Sequence, residues 1–251
     1  MTGWTDLSEE LEIWRHANRT ATFWWRDDDS EHEDPGIDSL LALRRKLRVP
    51  LSVAAVPTAT DKRFVDAVTG ETDVWVLQHG YAHRNHAPVG EKKCELSSNR
   101  DKHELLDELL AGKNRLRGLF GDYFLPVLVP PWNRIHDAWI HELPKLGYRG
   151  LSRATPRPAG VAVTGLHVVN VHVDIIDWRG SRGFVGTERA LHQLVGHLRA
   201  RREGRSDSHE PTGLLTHHLV ENNECWTFVD DLIGRTAGHQ AAQWLDAQRL
   251  F

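Results

Sequence analysis

Residues 37–56 read IDSLLALRRKLRVPLSVAAV and contain a helix pattern followed directly by a strand pattern. In the first part, Leu40, Leu41 and Leu47 recur at the spacing of an amphipathic helix. The second part, 51–56, is a short apolar run typical of a buried strand. Helices that alternate with buried strands are typical of parallel sheets, because parallel neighbours need a crossover connection.

The same two patterns alternate along the chain, which predicts a mainly parallel α/β sheet, either a barrel or a doubly wound sheet. The predicted strands are 22–25, 51–56, 74–79, 127–130, 148–152, 168–176 and 213–217. The predicted helices are 37–47, 61–68, 101–119, 136–146, 187–202 and 224–235, with further helices around 7–14 and 241–250. The segments 154–160, which contains proline, and 204–211, which is polar, are predicted to be loops.

The composition is that of a globular protein, with 40% hydrophobic and 26% charged residues in 251. This length fits one domain over 1–251, with a core of about 20–235 and flanking terminal helices. The net charge of −4 gives no field for binding nucleic acid. Cys94 and Cys225 match neither a disulfide framework nor a zinc motif. An acidic start and the absence of a long apolar run predict a cytoplasmic protein without a membrane segment.

Reactive side chains follow five of the predicted strands, close to the point where each strand ends. The carboxyl ends of parallel strands converge at one edge of the sheet, where α/β proteins carry their active sites. We therefore expect the five clusters to form one site. They are Asp27–Asp29, His79–His86, Pro130–Arg134, Asp174–Trp178 and His217–His218.

Two of these clusters have the residue types of a metal centre. His79 and His83 are four residues apart, so on one helical turn both imidazoles would point the same way, and His86 could replace either. Two histidines and a carboxylate make a three-ligand site with open positions. The adjacent carboxylates of 27–29 repel one another unless a cation or an arginine offsets their charge. The alternative is a solvated acidic loop that continues into 30–34.

In this order the clusters resemble the motifs of the polysaccharide deacetylase family, the NodB-homology group or carbohydrate esterase family 4. FWWRDDDS resembles the first motif, HGYAH the second, LVPPWN the third, DIIDW the fourth and LLTHH the fifth. The resemblance covers about 22–218. It implies a distorted, NodB-like (β/α)7 barrel in a single domain.

The resemblance also implies roles for particular residues. Asp27 would be the catalytic base, and Asp28, His79 and His83 would hold a divalent metal. Zn²⁺ is the expected ion, with Co²⁺, Ni²⁺, Mn²⁺ and Fe²⁺ as alternatives. His217 aligns with the histidine of the fifth motif and would be the general acid. Neighbouring residues on a strand point to opposite faces, so at most one of His217 and His218 can face the barrel axis.

The groove around this centre is expected to bind the sugar and to orient the catalytic groups. Trp132 and Trp178 at the strand ends are candidates for stacking against a sugar. The alternative is that both are buried residues of the hydrophobic core. Asp174 or Asp177 could orient His217. Arg134 is the remaining candidate for substrate binding or support of the site.

The sequence departs from the family at two positions. The family usually has glycine after the aspartate pair, where this chain has Asp29, so the roles within 27–29 stay open. The usual arginine of the third motif aligns with Val129, and Arg134 or Arg26 could supply that charge instead.

The expected function is a metal-dependent hydrolase that removes acetyl groups from an N-acetylated sugar or glycan. One alternative is a hydrolase of the same fold that acts on another amide or an ester. The other is a catalytically silent carbohydrate-binding barrel, which would have no need of a stoichiometric metal ion.

Overall fold

The computed structural model describes residues 1–30, 36–157, 163–220 and 222–251. Within these residues the strands are β1 (Ala21–Ser30), β2 (Leu51–Ala55), β3 (Val74–His79), β4 (Phe124–Val129), β5 (Gly150–Leu151), β6 (His167–Val168), β7 (Val173–Asp174), β8 (Thr212–Thr216) and β9 (Ala242–Trp244). The α-helices are α1 (Trp4–His16), α2 (Gly36–Leu47), α3 (Lys62–Val68), α4 (Lys102–Phe120), α5 (Asp137–Ile140), α6 (Thr187–Arg202), α7 (Asn223–Ala237) and α8 (Ala247–Leu250). The predicted loops 30–34 and 154–160 lie partly outside the described residues.

The strands form one parallel sheet in the order β6-β5-β4-β3-β2-β1-β8-β7, with β9 paired to the start of β1. At the centre of the sheet, Arg26 of β1 lies opposite Ser52 of β2 and Leu215 of β8. Since all these strands run in the same direction, their carboxyl ends meet at one edge.

The segment from β6 to β7 closes the sheet into a barrel. Its first part, β6, pairs with β5, and its second part, β7, pairs with β8. Val171, between β6 and β7, also forms a parallel bridge with Ala154, which follows β5. The single strand predicted over 168–176 is therefore interrupted. The interruption lies at Asn170, whose backbone N–H donates to the Glu210 carboxylate instead of to a strand. The predicted distorted (β/α)7 barrel is confirmed.

The long helices begin and end within a few residues of their predicted bounds, but the carboxyl-terminal helix predicted over 241–250 is correct only over α8. Residues 242–244 form β9, because Trp244 stacks on Phe23 of β1 with 5.3 Å between ring centroids. The helix predicted over 136–146 is also shorter than expected, since α5 gives way to turns after Ile140. None of the helices in the described ranges is both long and apolar enough to cross a bilayer.

Alternation along β1 decides which side chains enter the barrel. Trp24 belongs to a buried cluster formed largely by the strands, whereas Trp25 belongs to the cluster between the sheet and its helices. Because successive strand residues point to opposite faces, Arg26 and Asp28 lie on the barrel side with Trp24. Asp27 shares the outer side with Trp25.

Candidate active site

The structure brings three of the candidate residues together at the carboxyl edge of the barrel. Asp29 Oδ1 lies 2.8 Å from His79 Nε2 and 3.2 Å from His83 Nε2. One donor atom from each residue lies within 4.8 Å of the others, so the three could hold a metal ion. Two nitrogens and one oxygen are a donor set that suits Zn²⁺ and similar ions. The sequence analysis had placed Asp28 in this group, but the structure places Asp29 there.

A local change in backbone conformation explains why Asp29 joins this group. Asp29 has a φ of 64°, and the register between β1 and β2 shifts between Asp27 and Ser30. Because this left-handed conformation interrupts the strict alternation of the strand, Asp28 and Asp29 can both serve the site. Left-handed φ values are uncommon outside glycine, although aspartate tolerates them better than most residues.

His79 ends β3 and is buried in an orientation suited to metal binding. Its Nδ1 lies 3.0 Å from the carbonyl oxygen of Val129, which can only accept a hydrogen bond. The neutral ring therefore carries its proton on Nδ1 and presents the Nε2 lone pair to Asp29. Burial by itself would lower the pKa of His79, but the hydrogen bond to Asp29 and the charge of Asp28 together raise it.

Electrostatics keep the Asp29 carboxylate ionised. Burial by itself would raise the pKa of Asp29, but hydrogen bonds from His79 and His83 and the charge of His217 hold it well below its usual range. A divalent ion in this place would also favour the ionised form of the Asp29 carboxylate. The residues present therefore fit a divalent metal ion.

The connection from His79 to His83 is a loop, so the single helical turn expected from the four-residue spacing is wrong. Gly80 and His83 have left-handed φ values of 56° and 52°, which are incompatible with a helix. The buried carboxylate of Glu95 accepts hydrogen bonds from the backbone N–H groups of Tyr81 and Ala82 at 3.1 and 2.9 Å. This carboxylate shapes the loop that carries His83 to Asp29. His86 lies outside this three-residue group.

Asp28 is held by a buried arginine on the same strand. Arg26 Nε donates to Asp28 Oδ1 and Arg26 Nη2 donates to Asp28 Oδ2, each at 2.8 Å. The same guanidinium donates to Ser152 Oγ at 2.6 Å and to Asn133 Oδ1 at 2.7 Å. A bidentate pair fixes the position of a carboxylate and favours its charged form. Of the two arginines that the sequence offered, Arg26 binds the Asp28 carboxylate, whereas Arg134 donates to the backbone carbonyl of Lys93.

Asp27 lies on the other face of the strand and has different partners. Its carboxylate accepts hydrogen bonds from Thr216 Oγ1 at 2.5 Å and from the backbone N–H of His218 at 3.2 Å, and it also contacts His218 Nδ1. The structure therefore pairs Asp27 with His218 rather than with the metal-binding group. Alternation directs His217, just after β8, to the barrel side and His218 to the outer side. On β1 the same alternation directs Asp28 to the barrel side and Asp27 to the outer side.

His217 lies on the barrel side, next to Asp174 and Trp178. The Trp178 ring is 4.7 Å from the His217 ring, centroid to centroid, and Trp178 Nε1 donates to Asp174 Oδ2 at 2.9 Å. Burial raises the pKa of Asp174, and the charge of His217 opposes that rise. Asp177 instead accepts from the backbone N–H of Ser181 in the turn that follows. Asp174 is therefore the better placed of the two aspartates to act with His217.

The second candidate for stacking against a sugar, Trp132, lies against His83 of the group. Its ring is 4.5 Å from the His83 ring, and Lys93 Nζ lies 5.7 Å from its centroid. Trp178 is about 39% exposed and Trp132 is half-buried. Each of these two accessible aromatic rings thus lies beside a histidine of the site, and flat aromatic faces of this kind can pack against apolar faces of a ligand.

Comparison with solved structures shows the same fold over nearly the whole chain. The Bc1960 peptidoglycan N-acetylglucosamine deacetylase has a TM-score of 0.61 at 15% identity, covering 99% of this chain and 97% of that one. A family 4 carbohydrate esterase from Streptomyces lividans, in complex with acetate, gives 0.55 at 14% identity over 89% and 90%. A family 4 acetyl xylan esterase from Clostridium thermocellum, in complex with a cobalt ion, gives 0.51 at 12% identity over 92% and 90%. No family model and no curated protein matches the sequence. The chain thus has the fold of the polysaccharide deacetylases and family 4 carbohydrate esterases.

Proposed function

We propose that the protein is a divalent-metal-dependent hydrolase that removes acetyl groups from an N-acetylated sugar or glycan. The observation that carries this proposal is the meeting of Asp29, His79 and His83 beside the arginine-bound carboxylate of Asp28. Known proteins of the same fold support it, since they include a peptidoglycan deacetylase and acetyl esterases. The acetylated sugar would be the only partner that the site requires.

Asp29, His79 and His83 would hold the metal, with Zn²⁺ as the expected ion and Co²⁺, Ni²⁺, Mn²⁺ or Fe²⁺ as alternatives. When bound, such an ion acts as a Lewis acid that polarises the acyl carbonyl and makes water more acidic. The hydrogen bond from His79 Nδ1 to Val129 would keep the ligating nitrogen in place.

We assign the role of general base to Asp28, one residue later than the sequence predicted. Arg26 holds both oxygens of Asp28, so the carboxylate is fixed and ready to accept a proton from the attacking water. The Arg26 guanidinium also donates to Ser152 and Asn133, and these hydrogen bonds hold the guanidinium in place. Asp27 would instead have a structural role with His218 on the outer side of the sheet.

His217 would donate a proton to the departing amine nitrogen. Its ring lies against Trp178, and its charge acts on Asp29 of the metal-binding group, which supports this assignment. Asp174 would help to orient His217. Trp132 and Trp178 would bind the faces of the sugar. The prediction that Arg134 contributes to substrate binding is kept.

Acetate release tests the proposal. Purified protein supplied with Zn²⁺ or Co²⁺ should release acetate from N-acetylglucosamine oligomers, and Asp28→Asn should remove the activity. Asp122→Asn is the matched control, because this exposed aspartate precedes β4, at the opposite edge of the sheet from the site, and should leave the rate unchanged. If no acetylated sugar is hydrolysed while the protein binds chito-oligomers without metal, the carbohydrate-binding alternative is correct.

A further inference from the structure

An open cavity of about 550 Å³ lies at the edge of the barrel opposite the candidate active site. Thr20 precedes β1, Ser208 and His209 precede β8, and all three line the cavity. The amino ends of parallel strands lie a full strand length away from their carboxyl ends. The cavity is therefore separate from the groove around Asp29.

Positive charge is concentrated in this cavity. Arg19, Arg201 and Arg202 line it, and two of them flank a single indole: the guanidinium carbon lies 4.5 Å from the Trp14 centroid for Arg19 and 5.1 Å for Arg201. Arg202 is neutralised by Glu10, at 2.7 Å. The other two arginines form no ion pair within the described parts of the chain.

The hydrogen bonds of these two arginines go to neutral groups. Arg19 donates to the backbone carbonyl of Arg202 at 3.0 Å, at the carboxyl end of α6. Arg201 donates to the carbonyl and hydroxyl oxygens of Thr22 at 2.9 and 2.8 Å and to Thr212 Oγ1 at 3.1 Å. The nearby carboxylate of Asp207 is already paired with Arg157 at 2.7 Å. Glu210 and Asp207 act on Arg201 through their charges, but neither forms an ion pair with Arg201 or Arg19 in the described residues.

Keeping both charges here has an energetic cost. Arg201 is 1% exposed, and its Nε is buried without a hydrogen-bond partner. Burial and the charge of Arg19 lower the pKa of Arg201 to about 10, although the charges of Glu210 and Asp207 oppose the shift. An anion in the cavity would reduce the repulsion between the two arginines and could accept hydrogen bonds from the Arg19 guanidinium.

We propose that this cavity binds a small oxyanion of the phosphate class, either inorganic phosphate or the phosphate group of a monoester. Guanidinium groups present planar pairs of donors that match phosphate oxygens. Thr20, Ser208 and His209 add neutral or titratable donors around the opening. The site is independent of the hydrolase function, so either can fail without the other.

Titration of the metal-free protein with inorganic phosphate tests the proposal. Chelation prevents phosphate from binding at a metal, and sodium chloride of matched ionic strength corrects for screening. Calorimetry should show one phosphate per chain, with an affinity at least about tenfold weaker in Arg19→Gln, which loses a charge-assisted donor. His209→Gln should weaken binding less, and it provides a second test if Arg19→Gln folds poorly.

Arg205→Gln is the matched control, since Arg205 lies just after α6 but is paired with Glu203 outside the cavity. Its affinity should equal that of the unmodified protein. Absence of saturable phosphate binding up to about 10 mM, beyond the weak end of specific affinities, would overturn the proposal. So would unchanged affinity in both Arg19→Gln and His209→Gln. Parallel titration with glycerol phosphate distinguishes the free ion from a monoester by which binds more tightly.

Discussion

Acidification should destabilise the protein through a pair of stacked, buried histidines, His172 and His197. Their rings lie 3.5 Å apart between centroids, with 13° between their planes. His172 Nδ1 accepts the backbone N–H of Gly213 at 3.0 Å, so the neutral ring carries its proton on Nε2, which faces Glu210 Oε2 at 3.4 Å.

Both rings resist protonation in the folded state. Burial, aided by the charges of His172 and Arg201, lowers the pKa of His197 to about 2. Burial also lowers the pKa of His172, although Glu210 opposes the shift. In the unfolded chain, histidine has a pKa of about 6.5 and binds protons that the folded state refuses. The free energy of unfolding is therefore unaffected by these histidines above about pH 6.5 and decreases as the pH drops below that value.

The loss between pH 7 and pH 5.5 follows from these values. For His197 alone it is about 1.2 kcal/mol, because the unfolded ring titrates across this interval while the folded ring stays neutral. His172 changes stability in the same direction. Below pH 6 the contribution of one such histidine approaches about 1.4 kcal/mol per pH unit.

Urea denaturation of the metal-free protein at both pH values measures this loss. His197→Gln removes the titrating ring, so its stability should fall by about 1.2 kcal/mol less than that of the unmodified protein over the interval. His16→Gln, which changes an exposed histidine at the end of α1, should match the unmodified protein. Equal pH dependence in His197→Gln and the unmodified protein would refute the reasoning.

Three further predictions concern the candidate site. Gly80→Ala places a Cβ 2.6 Å from Pro131 at a φ of 56°, so urea denaturation should show a loss of about 1–3 kcal/mol, and zinc titration a weaker site. Gly90→Ala also has a positive φ, of 90°, but its Cβ would meet open space, and a zinc affinity reduced as much as in Gly80→Ala would contradict the packing argument. Arg26→Lys keeps the charge but loses the bidentate geometry, so kcat should fall by about 10- to 100-fold with the metal retained; an unchanged kcat would remove Arg26 from its positioning role. His217→Ala should lose far more activity on an N-acetyl amide than on an ester with a good leaving group, because only the amine needs a proton; equal losses would count against the acid role.

The sequence predicted the barrel because its signals are local and repeated. The leucine spacing in α2 and the apolar run of β2 are each visible in a short window, and their repetition defines the topology. β9 was missed because the pairing of Ala242 with Ala21 depends on residues more than two hundred positions apart. Such long-range pairing leaves no periodic pattern in a three-residue strand.

The candidate site was predicted in its members more accurately than in their roles. Strand alternation was sufficient to place His217 inside the barrel, and the same rule applied to β1 would have placed Asp27 outside it. The position of Asp29 was beyond that rule, because it depends on a left-handed residue within the strand. Glu95 carried no signal, since a carboxylate that accepts backbone N–H groups from a distant loop belongs to no sequence motif.

Metal content and turnover of Asp27→Asn, Asp28→Asn and Asp29→Asn test the assignment of the site most directly. Each substitution preserves shape, so elemental analysis and acetate release can be compared with the unmodified protein once folding is verified by circular dichroism. We expect Asp29→Asn to lose the metal, Asp28→Asn to keep it while kcat falls by about 10²- to 10⁴-fold, and Asp27→Asn to keep both. Loss of metal in Asp28→Asn with full retention in Asp29→Asn would contradict the account.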